Sequence, residues 1–198
     1  MSRSTRSLPL LVLAAGLLSI SPPLLAQVRE IPRLAIPQIQ VAPGSGATIY
    51  CTFTREQQGA IIGDHPAPGQ PNSIPVSALS VGASKPVGAG GVASGMHQLH
   101  SLEIVKAVDR ASPEFFQSVV ESRKLPAVDC SFYRQPGGQA AHRYFGVRLK
   151  NARVVDARIA AGSDGHSGAK EVLTLWYETI TLEDLVGGAT AQASRNGH

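Results

Sequence analysis

From Thr48 to Thr54 apolar and polar side chains alternate singly, with Ile49, Cys51 and Phe53 on one face and threonines and Tyr50 on the other. A period of two predicts a half-buried strand. The same alternation returns in Leu102, Ile104 and Lys106 opposite Glu103, Val105 and Ala107, and in the segments "PAVDCSFYRQ" and "HRYFGVRLK", where Phe145, Val147 and Leu149 share a face. "NARVVDARIA" continues it with Val155, Ala157 and Ile159 inward, but Asn151 and Arg153 would then fall on the apolar face, so a bend or bulge is expected there. "KEVLTLWYETITLEDL" reads as the last long strand, and "SIPVSALSVGASKP" as one strand or two short ones.

The period changes once. Ser112 is a favoured N-cap, Pro113 suits the first helical position and Glu114 complements the helix N-terminus. Phe115, Phe116, Val119 and Val120 recur at helical spacing, Arg123 and Lys124 fall in the expected last turn and Pro126 follows as a stop, which predicts one short helix over about 112–124. Turn-forming segments separate the strands: "GDHPAPGQPN" (Gly63 to Asn72), the glycine-dense "VGAGGVASG" (Val87 to Gly95), expected to be a long mobile loop, "PGGQ" and "GSDGHSG". Six or seven strands with one helix predict a mainly β fold, a two-sheet barrel or sandwich with a helix packed on it.

The N-terminus follows a different pattern. Arg3 and Arg6 precede the apolar run Leu8 to Leu18, and "PPLLAQ" places a small residue at Ala26. This is the layout of a secretory signal peptide cleaved after Ala26, with an apolar core too short for a comfortable membrane span. Residues 27–46 hold Pro32, Pro37 and Pro43 and read as an extended arm or linker. Residues 47–185 form the β domain and 186–198 a disordered tail. Arg3 and Arg6 leave with the leader and no acid does, so the formal charge falls from +4 to +2. The remaining cations are scattered, which argues against a nucleic-acid partner. The expected location is exported, periplasmic or secreted.

Cys51 and Cys130 are the only cysteines, and each alternates with apolar neighbours that face the core. Two readings stay open: a disulfide, suited to an oxidising compartment, or two buried thiols acting as small hydrophobes.

Candidate chemistry is sparse. His97 and His100 are three apart, which in a strand points them to opposite sides, and no acid or cysteine completes a ligand set. "GHSGA" has the form of a nucleophile elbow around Ser167, but a strand follows where the elbow needs a helix, and Ala169 stands where glycine is usual. Gly88, Gly90 and Gly91 are followed by no Gly-Lys-Ser/Thr and no helix N-terminus. No catalytic residue, metal site or cofactor is assigned, and the expectation is a structural or interaction protein. A serine hydrolase is the remote alternative.

The order of features carries more information than any one motif. A Gly-rich loop, an alternating strand, "VKAVDRASPEFFQSV", "LPAVDCSFYR" and a closing "EVLTLWYETITL" occur in succession. This succession resembles the haemolysin-coregulated protein (Hcp) family, the tube-forming component of type VI secretion systems. The family's Lys-x-x-Asp-x-Ala-Ser-Pro stretch at its strand-to-helix junction is matched by Lys106, Asp109, Ala111, Ser112 and Pro113, and its strand after the helix by Leu125, Pro126, Val128 and Cys130. The resemblance spans about Thr48 to Leu185. It implies a two-sheet β-barrel with one helix, subunits that assemble into a hexameric ring, rings that stack into a tube, and no catalytic centre. By the same resemblance, the loop holding Val87, Gly88, Gly90, Gly91 and Gly95 would reach the neighbouring ring. Tube subunits of this family begin almost at their first strand and carry no leader, whereas here a leader and an arm precede Thr48. The expected partners are other copies of the chain, with secretion-system or envelope proteins. A monomeric periplasmic binding domain on the same fold is the alternative.

Overall fold

The computed structural model describes residues 48–88, 90–135, 140–161 and 168–195. The leader with its cleavage point after Ala26, the arm 27–46 and Ser167 lie outside them. The first alternating segment is strand β1 (Thr48–Arg55), with Cys51 and Phe53 fully buried. Short strands β2 (Gly59–Ile61), β3 (Ile74–Val76), β4 (Ala78–Ser80), β5 (Ala83–Ser84) and β6 (Gln98–Leu99) lead to β7 (Leu102–Ala107). Helix α1 (Ser112–Val120) follows, then β8 (Lys124–Arg134), β9 (His142–Ala160), β10 (Lys170–Trp176), β11 (Thr179–Asp184) and β12 (Thr190–Ser194).

All pairings are antiparallel. The main sheet runs β2-β1-β8-β9-β10-β7-β4, with β3 also on β1, β11 on β9 and β12 on β11. Strands β5 and β6 form a separate two-stranded sheet. The fold is therefore mainly β with one helix, as the alternation predicts. Among the described residues the hydrogen-bonded ladder does not close into a barrel, since β4 and β2 end its path. The core is built from inward residues of facing strands: Phe53, Ile74, Leu102, Ile104, Leu125, Val128, Leu149, Leu173 and Leu175 are all fully buried, with Phe115 of α1 among them.

Several expectations need correction. Twelve strands stand among the described residues where six or seven were expected, because turns cut "SIPVSALSVGASKP" and its surroundings into pieces of two or three residues. The tail expected to be disordered from residue 186 instead forms β12, paired with β11 from Thr190 to Ser194. Its hairpin is closed by Asp184, whose carboxylate accepts the Val186 amide at 3.0 Å, while the Gly188 amide donates to the Asp184 carbonyl. Backbone amides of Gly187 and Val186 hold the Asp184 carboxyl below the usual carboxylate range.

The helix ends at Val120, and Lys124 and Pro126 belong to β8. Ser122 takes a left-handed φ of 54°, and the Ser122 and Arg123 amides bond back to Val119 and Ser118 carbonyls, which turns the chain out of the helix before Arg123. Phe116 and Val120 do not share the buried face with Phe115. They are 58% and 65% exposed, and Ser112 and Ser118 are buried beside Phe115 in their place.

Strand β9 runs through both segments that the sequence separates. Val147 and Leu149 are buried, then Ala152 and Val154, so the inward parity switches at Asn151, which adopts φ 52°. Val155 and Ile159, expected inward, are 50% and 58% exposed, and a second register shift against β10 lets Ala157 pack on the core. A bend was expected at 151–153, and the left-handed Asn151 supplies it. It lies opposite the break between β10 and β11, where the Asn151 amide donates to the Glu178 carboxylate at 2.7 Å and the Glu178 amide to the Lys150 carbonyl.

Candidate functional site

The residues of "KAVDRASP" converge at the junction of β7 and α1. Lys106 occupies the inward face of β7, in line with Leu102 and Ile104, and its side chain is fully buried. A buried ammonium must be surrounded by oxygen. Here Asp109 Oδ1 lies at 2.8 Å, Glu171 Oε2 at 2.9 Å, the Ala107 carbonyl at 2.8 Å and Ser112 Oγ at 3.2 Å. The Phe115 ring centroid is 5.6 Å from the same nitrogen.

Ser112 does not cap the helix in the manner its sequence position suggests. Ala111 is the N-cap, without a side-chain bond, and Pro113 stands one residue inside the helix start. The Ser112 hydroxyl donates its proton to Glu171 Oε2 at 2.7 Å and accepts from the Lys106 ammonium and the Asp109 amide. Asp109 Oδ1 also accepts the Ala111 amide at 3.0 Å, so the acid takes over the local capping. No local motif marks Glu171 as the partner of Lys106. The signal was present: it shares the period-two face of β10 with Leu173 and Leu175, an acid where an apolar residue is expected. Its Oε1 has no hydrogen-bond partner among the described residues.

The loop before β3 is fastened to the same junction. The Arg110 guanidinium donates to the Gly63 carbonyl from both Nε (3.0 Å) and Nη2 (2.6 Å). A Cβ on Gly63 would lie 2.7 Å from Asp109 Oδ2 and 3.0 Å from Ile74, so the backbone passes where only glycine fits. Further along, the turn is closed by an Ala67–Gln70 bridge and by buried Ser73, which accepts the Ala67 amide and donates to the Gln70 carbonyl. The junction thus joins β7, β10 and α1 through the buried polar groups of Lys106, Glu171 and Ser112, and the exposed Arg110 fastens the 63–72 loop at its rim. Its chemistry is that of a clamp.

Cys51 and Cys130 are directly opposed on β1 and β8 and joined by a disulfide, with Cα atoms 4.0 Å apart. Both are buried. The glycine loop carries more order than expected: a Val87–Ala93 bridge, with the Gly88 amide bonded to the Val92 carbonyl and the Gly91 amide to the Gly88 carbonyl, holds a small turn. Gly91 and Gly95 take left-handed φ values of 74° and 83° within it. Val87, Val92 and Met96 on this loop are 65%, 71% and 66% exposed.

The histidines are not brought together as ligands. His97 Nε2 lies 3.0 Å from the Ser194 carbonyl and His100 Nε2 3.0 Å from Ser84 Oγ, and no group of three His, Cys, Asp or Glu side chains suited to a metal occurs among the described residues. After the segment holding Ser167, which lies outside the described residues, the chain enters β10, where a nucleophile elbow would need a helix.

The family described as "Type VI secretion system effector, Hcp" matches residues 50–183. Among curated proteins none matches the chain. Solved structures share the fold at low identity. An Hcp protein crystal structure superposes with a TM-score of 0.69 at 14% identity, covering 74% of this chain and 98% of its own. A variant of Hcp1 from E. coli EAEC 042 gives 0.67 at 20% identity, covering 74% and 97%. The secreted protein Hcp3 from Pseudomonas aeruginosa gives 0.60 at 20% identity, covering 75% and 97%.

Proposed function

Because this chain belongs to the Hcp family of type VI secretion effectors, we propose that it is an exported structural subunit that assembles with copies of itself into a hexameric ring. The observation that carries the reading is the family match from residue 50 to 183, nearly the whole β domain. Two features of the fold support assembly. The ladder leaves short strands β2 and β4 at its ends and β12 paired on one side only, which neighbouring copies would cover. Apolar side chains stand in solvent on α1 (Phe116, Val120) and on β9 (Val155, Ile159). The glycine loop, with Val87, Val92 and Met96 exposed, is the element proposed to touch an adjacent ring.

Export is supported by the leader pattern ending at Ala26 and by the Cys51–Cys130 disulfide, since such bonds persist in oxidising compartments. On this reading the subunit acts in the periplasm or outside the cell, after removal of the leader. No helix among the described residues is long and apolar enough to cross a membrane. The function lies in surfaces, with no catalytic centre.

A second reading, a monomeric periplasmic interaction domain on the same fold, is favoured by that disulfide, because tubes of this family assemble in the cytoplasm. One experiment separates the two. The full chain is expressed with its leader, recovered from the periplasm and medium, and its N-terminus and sedimentation are measured over a concentration series. The proposal expects an N-terminus at Gln27 and a six-subunit species visible as rings in negative stain. A single monomeric species at all concentrations overturns the ring and leaves the monomeric module.

A further inference from the structure

On the surface away from the clamp, the β1–β2 turn, the α1–β8 turn and β9 enclose a cleft of about 360 Å³. Four cations line it, Arg55, Arg123, Lys124 and Arg153, with Glu56 as the one acid. Two of the four are already engaged: Arg55 with Glu114 at 2.5 Å, and Arg123 with Glu121. The other two are not neutralised. Lys124 and Arg153 are direct cross-strand partners in the β8–β9 register, and like charges so placed repel. Arg153 spends one donor on the Ser122 carbonyl at 2.9 Å and has no acid partner among the described residues, and Lys124 has no polar partner there.

The backbone on either side of them turns through left-handed residues. Of the three non-glycine residues with left-handed φ among the described residues, Gln57 (65°) and Ser122 (54°) both line this cleft, in the two turns. Ser122 takes this conformation at the end of α1 and Gln57 in the β1–β2 turn, so the cations stand between two fixed turns. Two cations without an acid partner among the described residues therefore stand at one opening, between two fixed turns.

We propose that this cleft binds a phosphate group, held between the Arg153 guanidinium and the Lys124 ammonium. A tetrahedral phosphate presents oxygens to a forked guanidinium and to a point-charge ammonium at once, and it removes the repulsion between them. Arg55 and Arg123 supply the surrounding positive field. All the residues that line the cleft come from one chain, so the site can be tested without ring formation.

The test uses the full chain with inorganic pyrophosphate as the probe, against sodium chloride at matched ionic strength. Binding is expected to be saturable by titration calorimetry and to raise the melting temperature. Lys124→Gln and Arg153→Gln should each weaken it by roughly tenfold or more, through loss of a charge-assisted bond. Lys124→Glu should melt at or above the wild-type temperature without ligand, because it pairs with Arg153, and should bind no pyrophosphate. That variant separates loss of the site from loss of the fold. Saturable binding that survives in Lys124→Glu, or no saturable binding to the wild type, overturns the proposal. The source is read with phosphatidylglycerol vesicles and a phosphatidylcholine control. Flotation competed by pyrophosphate assigns a lipid headgroup, and pyrophosphate binding without flotation assigns a soluble phosphate compound. Both of those outcomes uphold the site.

Discussion

Lys106 and Glu171 stand directly opposite each other on β7 and β10, 2.9 Å apart, with side chains that are 0% and 1% exposed. Ser112 ties the same Glu171 oxygen to the first turn of α1, and Asp109 closes the ring of oxygens from the connecting turn. One ammonium thus fixes where the helix lies on the sheet. Removing it would leave two carboxylates facing each other in a site with almost no water. Lys106→Met is expected to cost about 3–5 kcal/mol, and Glu171→Leu a similar amount by leaving the ammonium short of one acid. The double variant should cost less than the sum of the two. Urea unfolding of the four proteins measures the coupling, and strict additivity would show that the two groups do not act as a pair.

The disulfide makes a second prediction. It spans 79 residues of sequence but joins residues that are neighbours in the β1–β8 ladder. Its stabilisation should act mainly through the unfolded chain, and a Cys51→Ala/Cys130→Ala variant is expected to lose roughly 2–4 kcal/mol while keeping its secondary structure. Because both sulfurs are buried, reduction of the folded protein should run no faster than unfolding. Thiol trapping during incubation with a reductant, compared with the unfolding rate, checks this. Rapid reduction under native conditions would contradict it.

How far these features were legible in the sequence depends on what specifies each one. Strands β1 and β7 follow from strict alternation, because one face meets the core and the other does not, and β8 alternates only from Val128 to Cys130. The burial of Lys106 was legible in the same way, since it continues the face of Leu102 and Ile104. Its partner was not, because Glu171 is 65 positions away and only the β7–β10 register brings it opposite. Local preference makes Ser112 a cap, but tertiary contact with Glu171 redirects its hydroxyl. Likewise Phe116 and Val120 fit a helical apolar period, but the sheet accepts only Phe115, with Ser112 and Ser118 at the close approach. The cleft between Lys124 and Arg153 has no sequence signature at all, because it arises from two residues 29 apart meeting across a ladder.

Asn151 shows how one residue sets the geometry of a long strand. With φ at 52° it switches the inward parity from Val147 and Leu149 to Ala152 and Val154, and its side-chain amide reaches Glu178 at the facing break. A β-branched residue tolerates neither. Asn151→Val is expected to destabilise by about 2 kcal/mol, combining the left-handed penalty with the lost hydrogen bond, whereas Asn151→Gly should lose only the bond. The order of the two variants in thermal unfolding is the test, and a glycine variant less stable than the valine variant would show that backbone conformation is not what Asn151 contributes.

Tyr177 gives the alkaline limit of the fold. Its ring is fully buried between β10 and β11, and its hydroxyl has no hydrogen-bond partner among the described residues. Burial pushes the phenol above its ordinary value of 10.0, with the Arg195 guanidinium, 5.1 Å from the ring centroid, pulling more weakly the other way. In the unfolded chain the phenol ionises near its ordinary value, while in the folded chain it keeps its proton to higher pH. Above that point the unfolded state binds fewer protons than the native state, so the stability difference must fall as pH rises. Below it both states are protonated and Tyr177 contributes no pH dependence. Tyr177→Phe removes a hydroxyl that has nothing to bond and keeps the ring, so it is expected to be neutral or slightly stabilising at pH 7. Urea midpoints of the two proteins should therefore run parallel to about pH 9 and diverge above about pH 10, the wild type losing stability faster. Parallel curves through the alkaline range would mean that the phenol reaches solvent in the native state.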